Sequence, residues 1–211
     1  MSHSTVLVVS DDYEAALVPF DESIEVERYV RHTRDDLIKR SRERVAQIDE
    51  HRYRPYLADP AGYADKYNNP NHIEFLRNEF PAQLEWADDE HYADMIRWES
   101  AEDIAPCGGV YSTYNPLSRW DWYAVGGRWK GGLTTIAGES VNTCTRADLD
   151  VANTSPTFAL LVDGEWTERG HMGWFGLVSD EQPEDEWGAQ WRTVVGALPG
   201  DARLTLVDVH I

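Results

Sequence analysis

Residues 158–162 (FALLV), Asp163-Gly164, residues 172–179 (MGWFGLVS), Pro183-Glu184-Asp185-Glu186 and residues 204–211 (LTLVDVHI) form the stretch that decides the fold. The two apolar runs on either side of Asp163-Gly164 read as strands joined through a turn, because Asp-Gly tolerates the backbone conformations that tight turns need. Proline at the first helical position and acids in the first turn suit a helix start near residue 183. Trp187, Trp191, Val194, Val195 and Leu198 follow at helical spacing as a buried stripe, and Pro199-Gly200 ends the helix. A final strand over 204–211 completes the order β-β-α-β.

Working towards the N-terminus, residues 5–10 (TVLVVS) form a short β-branched run stopped by Asp11-Asp12, the pattern of a buried strand. Val18-Pro19-Phe20-Asp21 is turn-like. Thr33 ahead of Asp35 and Asp36 is an N-cap with first-turn acids, and Leu37, Ser41, Val45 and Ile48 share one stripe, which predicts a helix over 34–51. The series β-α…β-β-α-β predicts an α+β fold: a mixed or antiparallel sheet with helices on one face and a ferredoxin-like split βαβ core. Residues 1–211 are expected as a single domain, with core 1–51 and 155–211 and a central aromatic-rich insertion over 52–154.

Within that insertion, residues 52–71 are rich in Tyr, Pro, Asp and Asn without a clean period and read as an ordered loop. Asn71 and Glu74 make a capping-box pattern for a short helix to Phe80, interrupted by Pro81. Leu84, Ala87, His91, Met95 and Trp98 form a stripe along a helix expected over 82–99, with His91 expected as a hydrogen-bonded core histidine. From 107 to 141 the texture changes to Gly, Trp, Tyr and Thr, which implies strands and tight turns.

The chain has 211 residues, 42% of them hydrophobic, with nine Trp and ten Tyr, which suffices for a core. Two cysteines argue against a disulfide scaffold. Neither a basic leader nor an apolar run of about 20 residues is present, so a cytoplasmic protein with no membrane partner is expected. The net charge of −19 is uneven: residues 28–54 hold nine of the 19 basic residues against five acids, leaving ten basic and 33 acidic residues elsewhere. A field of that sign repels duplex nucleic acid and favours solubility or cationic partners. Sixteen Arg against three Lys point to a GC-rich coding genome, in which acidic surfaces are common. Self-association into a homo-oligomer stays open.

The densest segment is Asn115-Pro-Leu-Ser-Arg-Trp-Asp-Trp-Tyr-Ala-Val-Gly-Gly-Arg-Trp-Lys-Gly-Gly132. Read as a continuous strand, it puts Trp120 and Trp122 on one side and Asp121 and Tyr123 on the other. Two indoles on one face could sandwich a planar ring, Gly126-Gly127 allow close backbone approach, and Arg119, Arg128 and Lys130 could neutralise phosphates. Arg119, Trp120, Asp121, Trp122, Tyr123, Arg128, Trp129 and His210 are therefore the candidate ligand-binding residues, for a nucleotide-like small molecule. The same residues also suit a Trp-rich hairpin filling a sheet face, with Asp121 paired to Arg128.

Other constellations are thinner. His3-Ser4-Thr5 fits the His-x-Thr element of two-histidine phosphodiesterases, which need two copies, and no second copy is found. Asp208 and His210, two apart on the last strand, should share a side, where the carboxylate could orient the imidazole as an acid/base unit. Asp88-Asp89-Glu90-His91 read as a solvated acidic helix face, Cys107 and Cys144 lack CxxC partners, and Gly108-Gly109 lack a P-loop ending. No metal and no cofactor is expected.

Taken together, NPxSxWDWYxxGGRW, the downstream MGWFG, the Trp-bearing acidic helix, the terminal DVHI and the early VPFDE resemble a family of phage, prophage and actinobacterial proteins. The resemblance spans most of the chain and carries no catalytic residue across. It implies a small phage-type accessory protein, in the host cytoplasm if phage-encoded, with interference in host defence as its setting. The leading expectation is a protein that sequesters a nucleotide-like signal. The alternatives are an enzyme cleaving a phosphodiester or glycosidic bond of such a signal, and an acidic inhibitor that mimics DNA.

Overall fold

The computed structural model describes residues 2–172 and 177–210, so residues 173–176 of the expected strand at 172–179 lie outside the described residues. The chain divides into two compact units, Met1–Val26 with Tyr114–Ile211, and Glu27–Thr113. The first carries a six-stranded mixed sheet, whose strands we number in chain order: β1 (His3–Val9), β2 (Trp122–Val125), β3 (Thr143–Thr145), β4 (Ala159–Val162), β5 (Glu165–Glu168) and β6 (Arg203–His210). The fold is α+β, as expected.

Pairing of β1 with β6 is the spine of this sheet: the two run antiparallel from His3↔His210 to Val9↔Leu204. On the other side β1 pairs in parallel with β4, and β4 turns through Asp163-Gly164, both at positive φ, into antiparallel β5. Along the free edge of β6, β3 pairs near Arg203 and β2 near His210. In the expected series the strand after the first helix, residues 158–162, would be split from β1 by another strand; as β4 it lies directly against β1, so the ferredoxin-like detail of that series is not confirmed. Residues 114–154, expected within an insertion, supply β2 and β3 to this sheet, and the helix expected over 34–51 belongs to the other unit.

Alternation sorts the apolar residues onto two faces. Val6, Val8, Ala159, Leu161, Val207 and Val209 pack with Leu17, Phe20 and Trp120 on one side. Leu7, Leu160, Leu204 and Leu206 pack with Trp187, Trp191 and Val195 of the Glu184–Ala197 helix on the other. Helices therefore lie on both faces, because Asp12 does more than end β1: its side chain caps a further helix, Tyr13–Leu17, which carries Leu17 into the first cluster. Both indole N–H groups of the longer helix are satisfied at one residue, Trp187 donating to the Thr157 carbonyl (2.7 Å) and Trp191 to the Thr157 hydroxyl (2.9 Å). This holds the loop before β4 against the helix.

In the second unit the Arg34–Ile48 helix opens with a Thr33/Asp36 capping box and packs on the Asp88–Ile96 helix. His91 is buried and bonded through Nδ1 to the Ser41 hydroxyl (3.0 Å), a core histidine as expected. The helix expected over 82–99 is shorter than its stripe, and Trp98 is 84% exposed. Residues 52–71, expected as a loop, are mostly helical, with Arg54–Ala58 and Pro60–Tyr67 as α-helices. Here Pro55, Pro60 and Pro70 each occupy a first helical turn, where a missing amide costs nothing, Asp59 and Asn69 cap the next segments, and Tyr56 and Tyr63 are buried with Leu76 and Phe80. Among the described residues no helix is long and apolar enough to cross a membrane.

Replacing Trp191 by Ala removes a fully buried indole and its bond to Thr157, and should cost about 3–5 kcal/mol in urea unfolding. Trp98→Ala, at an exposed site, should stay within about 0.5 kcal/mol of the parent.

Candidate active site

Residues directly opposite one another across antiparallel strands share a face. The β1–β6 register therefore places His3 beside His210 and Thr5 beside Asp208, and the β6–β2 register adds Trp122 next to His210. The two imidazole centroids are 5.0 Å apart with planes at 61°, and Trp122 meets His3 edge-on at 6.3 Å. Three strands thus bring two histidines and one indole together at one end of the sheet.

Each imidazole is backed by a carboxylate. His3 Nδ1 bonds Asp208 Oδ1 at 2.9 Å, and Asp208 is 1% exposed. Its second oxygen, Oδ2, accepts the backbone N–H of Arg128 at 3.0 Å. That amide is aimed by Gly126 and Gly127, both at positive φ, and a Cβ on Gly127 would lie 2.3 Å from Asp208 Oδ2. Only glycine fits there. His210 Nδ1 bonds Asp121 Oδ1 at 2.5 Å, while the Asp121 amide donates to the His210 carbonyl at 3.0 Å, so the two residues are clamped by backbone and side chain together.

A carboxylate can only accept, so in each neutral ring the proton sits on Nδ1 and the lone pair on Nε2. Each neutral imidazole thus holds its lone pair on Nε2. The Nε2 atom of His210 is buried and meets no hydrogen-bonding group among the described residues. Two such groups side by side are the equipment for general acid and general base catalysis. Among the described residues no cluster of three or more His, Cys, Asp and Glu side chains could hold a metal ion.

The aromatic segment is divided differently from its strand reading. Trp120 is 8% exposed, donates Nε1–H to the Leu17 carbonyl (3.1 Å) and packs edge-on against Tyr123 at 5.0 Å, both on the Tyr13–Leu17 side of the sheet. Burial, reinforced by Glu14 and Asp12, pushes the Tyr123 phenol pKa up, which keeps it neutral. Trp122, 53% exposed, stands on the opposite side with the histidines. The two indoles do not share a face, because the ladder with β6 begins only at Trp122, whereas Arg119 and Trp120 bond the Phe20 carbonyl. Alternation holds only within one continuous ladder.

Arg119 is held by the Ser118 carbonyl and lies 3.8 Å from Glu168, so its charge is already countered. Arg128 contributes its backbone amide to the site, and Trp129 is partly exposed in the short turn 127–129. Asp121 pairs with His210 and not with Arg128, and Asp208 orients His3 and not its strand neighbour His210. His3, set aside for want of a second His-x-Thr, is the residue that sequence reasoning undervalued. The partner of its imidazole lies 205 positions away, and only the β1–β6 register could have revealed it.

No family model, no curated protein and no solved structure matches the chain.

In an Asp208→Asn variant the Arg128 N–H keeps the amide oxygen, which turns the new NH₂ towards His3 Nδ1 and should move the neutral His3 proton to Nε2. Nitrogen-15 NMR of the imidazoles checks this: His3 changes tautomer, and His210, held by Asp121, does not.

Proposed function

We propose that the protein is a general acid/base enzyme that cleaves a phosphodiester bond in a nucleotide-like substrate. The observation that carries this reading is the pair of Asp-backed imidazoles 5.0 Å apart on neighbouring strands. Neutral Nε2 of one histidine takes the proton of the attacking hydroxyl or water as the new P–O bond forms. The other histidine, protonated, delivers its proton to the leaving oxygen as the old P–O bond breaks. The half-exposed indole of Trp122 supplies a stacking surface beside the reacting group, worth about 1–3 kcal/mol per base. A net charge of −19 disfavours long polyanions and leaves small nucleotides as the fitting substrates. The phage-type resemblance supports a host nucleotide signal as the physiological one.

The sequestration reading loses its two-indole sandwich, since Trp120 is core. Turnover separates the two readings. With a panel of cyclic dinucleotides and NAD derivatives, the parent should release products, following a bell-shaped pH–rate profile because one ring must be neutral and the other charged. His3→Ala and His210→Ala should each lose about 10²–10⁴-fold in rate. Binding heat without product in the parent would return the protein to the sequestration class, and product formation unaffected by either substitution would remove the histidines from the mechanism.

A further inference from the structure

A polar recess opens on the histidine-bearing face of the same sheet unit. It has a volume of about 430 Å³ and is lined by Thr5, the loop 152–158, Arg169 and, from the Glu184–Ala197 helix, Glu184, Trp187 and Arg192. Thr5 is two residues along β1 from His3, about 7 Å at strand rise, and alternation keeps their side chains on one face. The Thr5 hydroxyl accepts the Phe158 amide at 2.9 Å, which leaves its own proton to donate.

Two cations mark this recess. Arg192 forms no ion pair or hydrogen bond among the described residues. Gly188, one turn earlier in the helix, gives it room: a Cβ there would meet Arg192 Nη1 at 3.1 Å and Pro156 Cγ at 3.7 Å. Arg169 engages Glu181 through Nη2, while its Nε is buried with no partner among the described residues. Glu181 pairs with Arg169 and Glu184 also lines the recess, so Arg192 is the guanidinium left without an ion pair there among the described residues. The unpaired Arg192 guanidinium, the unpartnered Arg169 Nε and the Thr5 hydroxyl proton are the donors this recess offers to an anion.

We infer that this recess is a phosphate subsite, and that the substrate class is a nucleotide carrying a second phosphate group besides the one at the histidines. The substrate assignment rests on the two-histidine reading; the anion site does not. Arg192 and Arg169 would grip the non-reacting phosphate, with Thr5 linking the recess to His3.

The test begins with inorganic phosphate titrated calorimetrically into a His3→Ala/His210→Ala double variant, which lacks the acid/base pair. Phosphate should still bind, and adding Arg192→Ala should weaken it about tenfold or more, with Arg192→Lys recovering part of the loss. Absence of phosphate binding, or binding indifferent to Arg192, overturns the subsite. For the substrate class, the dinucleotides pApA and ApA differ only in a terminal phosphate. The ratio of their kcat/KM values should favour pApA in the parent and fall about tenfold in Arg192→Ala. An unaltered ratio overturns the substrate assignment. Arg192-dependent phosphate binding with no turnover of either dinucleotide leaves the subsite standing and sinks the catalytic reading instead.

Discussion

Everything in the sheet unit depends on the antiparallel pairing of β1 with β6. These strands occupy the middle of the sheet, so each buries side chains on both faces, and Val6, Leu7, Val8, Leu204, Val207 and Val209 are almost fully withdrawn from water. Register is strongly specified under such conditions, because a slip by one residue would exchange the valine face for the leucine face and ruin both clusters. The same register delivers His3 to His210 and Thr5 to Asp208. Core packing and site geometry are thus one constraint: the hydrophobic effect that sets the ladder also sets the spacing of the imidazoles.

Charge in this chain is managed locally more than its total suggests. The basic stretch at 28–54 would form a cationic face if left alone, yet Arg34, Arg42 and Arg44 pair with Asp89, Asp88 and Asp94 of the neighbouring helix in the same unit. Such surface pairs add little stability, typically under about 1 kcal/mol each. Their effect is to cancel a field that would attract polyanions without selectivity. In the sheet unit Arg119 and Arg169 each lie near an acid as well, which makes Arg192 the more conspicuous.

Local chemistry was legible where local rules govern. Asp163-Gly164 is a turn, Pro183 with its acids opens a helix, Trp187 and Trp191 are its buried stripe, and residues 203–210 are the last strand. Residues 52–71 lack a clean apolar period, yet they are mostly helical, because Pro55 and Pro60 stand in first turns and Asn69 is a cap. The tryptophans misled for a different reason. Alternation would put Trp120 and Trp122 on one face only if a strand ran through both, and the strand starts at Trp122. The site itself hinged on partners no window of sequence contains: Asp208 for His3, Asp121 for His210, and the Arg128 amide for Asp208. Each residue was visible as a candidate; which carboxylate serves which imidazole is a property of sheet register alone.

A centre assembled from residues 3, 121–122 and 208–210 also has a history during synthesis. Contacts of such long sequence separation close late, after the loop entropy of the intervening chain has been overcome. While β6 is still within the ribosome, β1 has no antiparallel neighbour, Asp208 and His210 do not exist for His3, and the exposed edge of β1 invites pairing with other chains. Release before β6 yields a polypeptide that lacks its central ladder and keeps His3 without Asp208 or His210. Whatever the histidines do therefore begins only once β6 has been made and has joined the ladder.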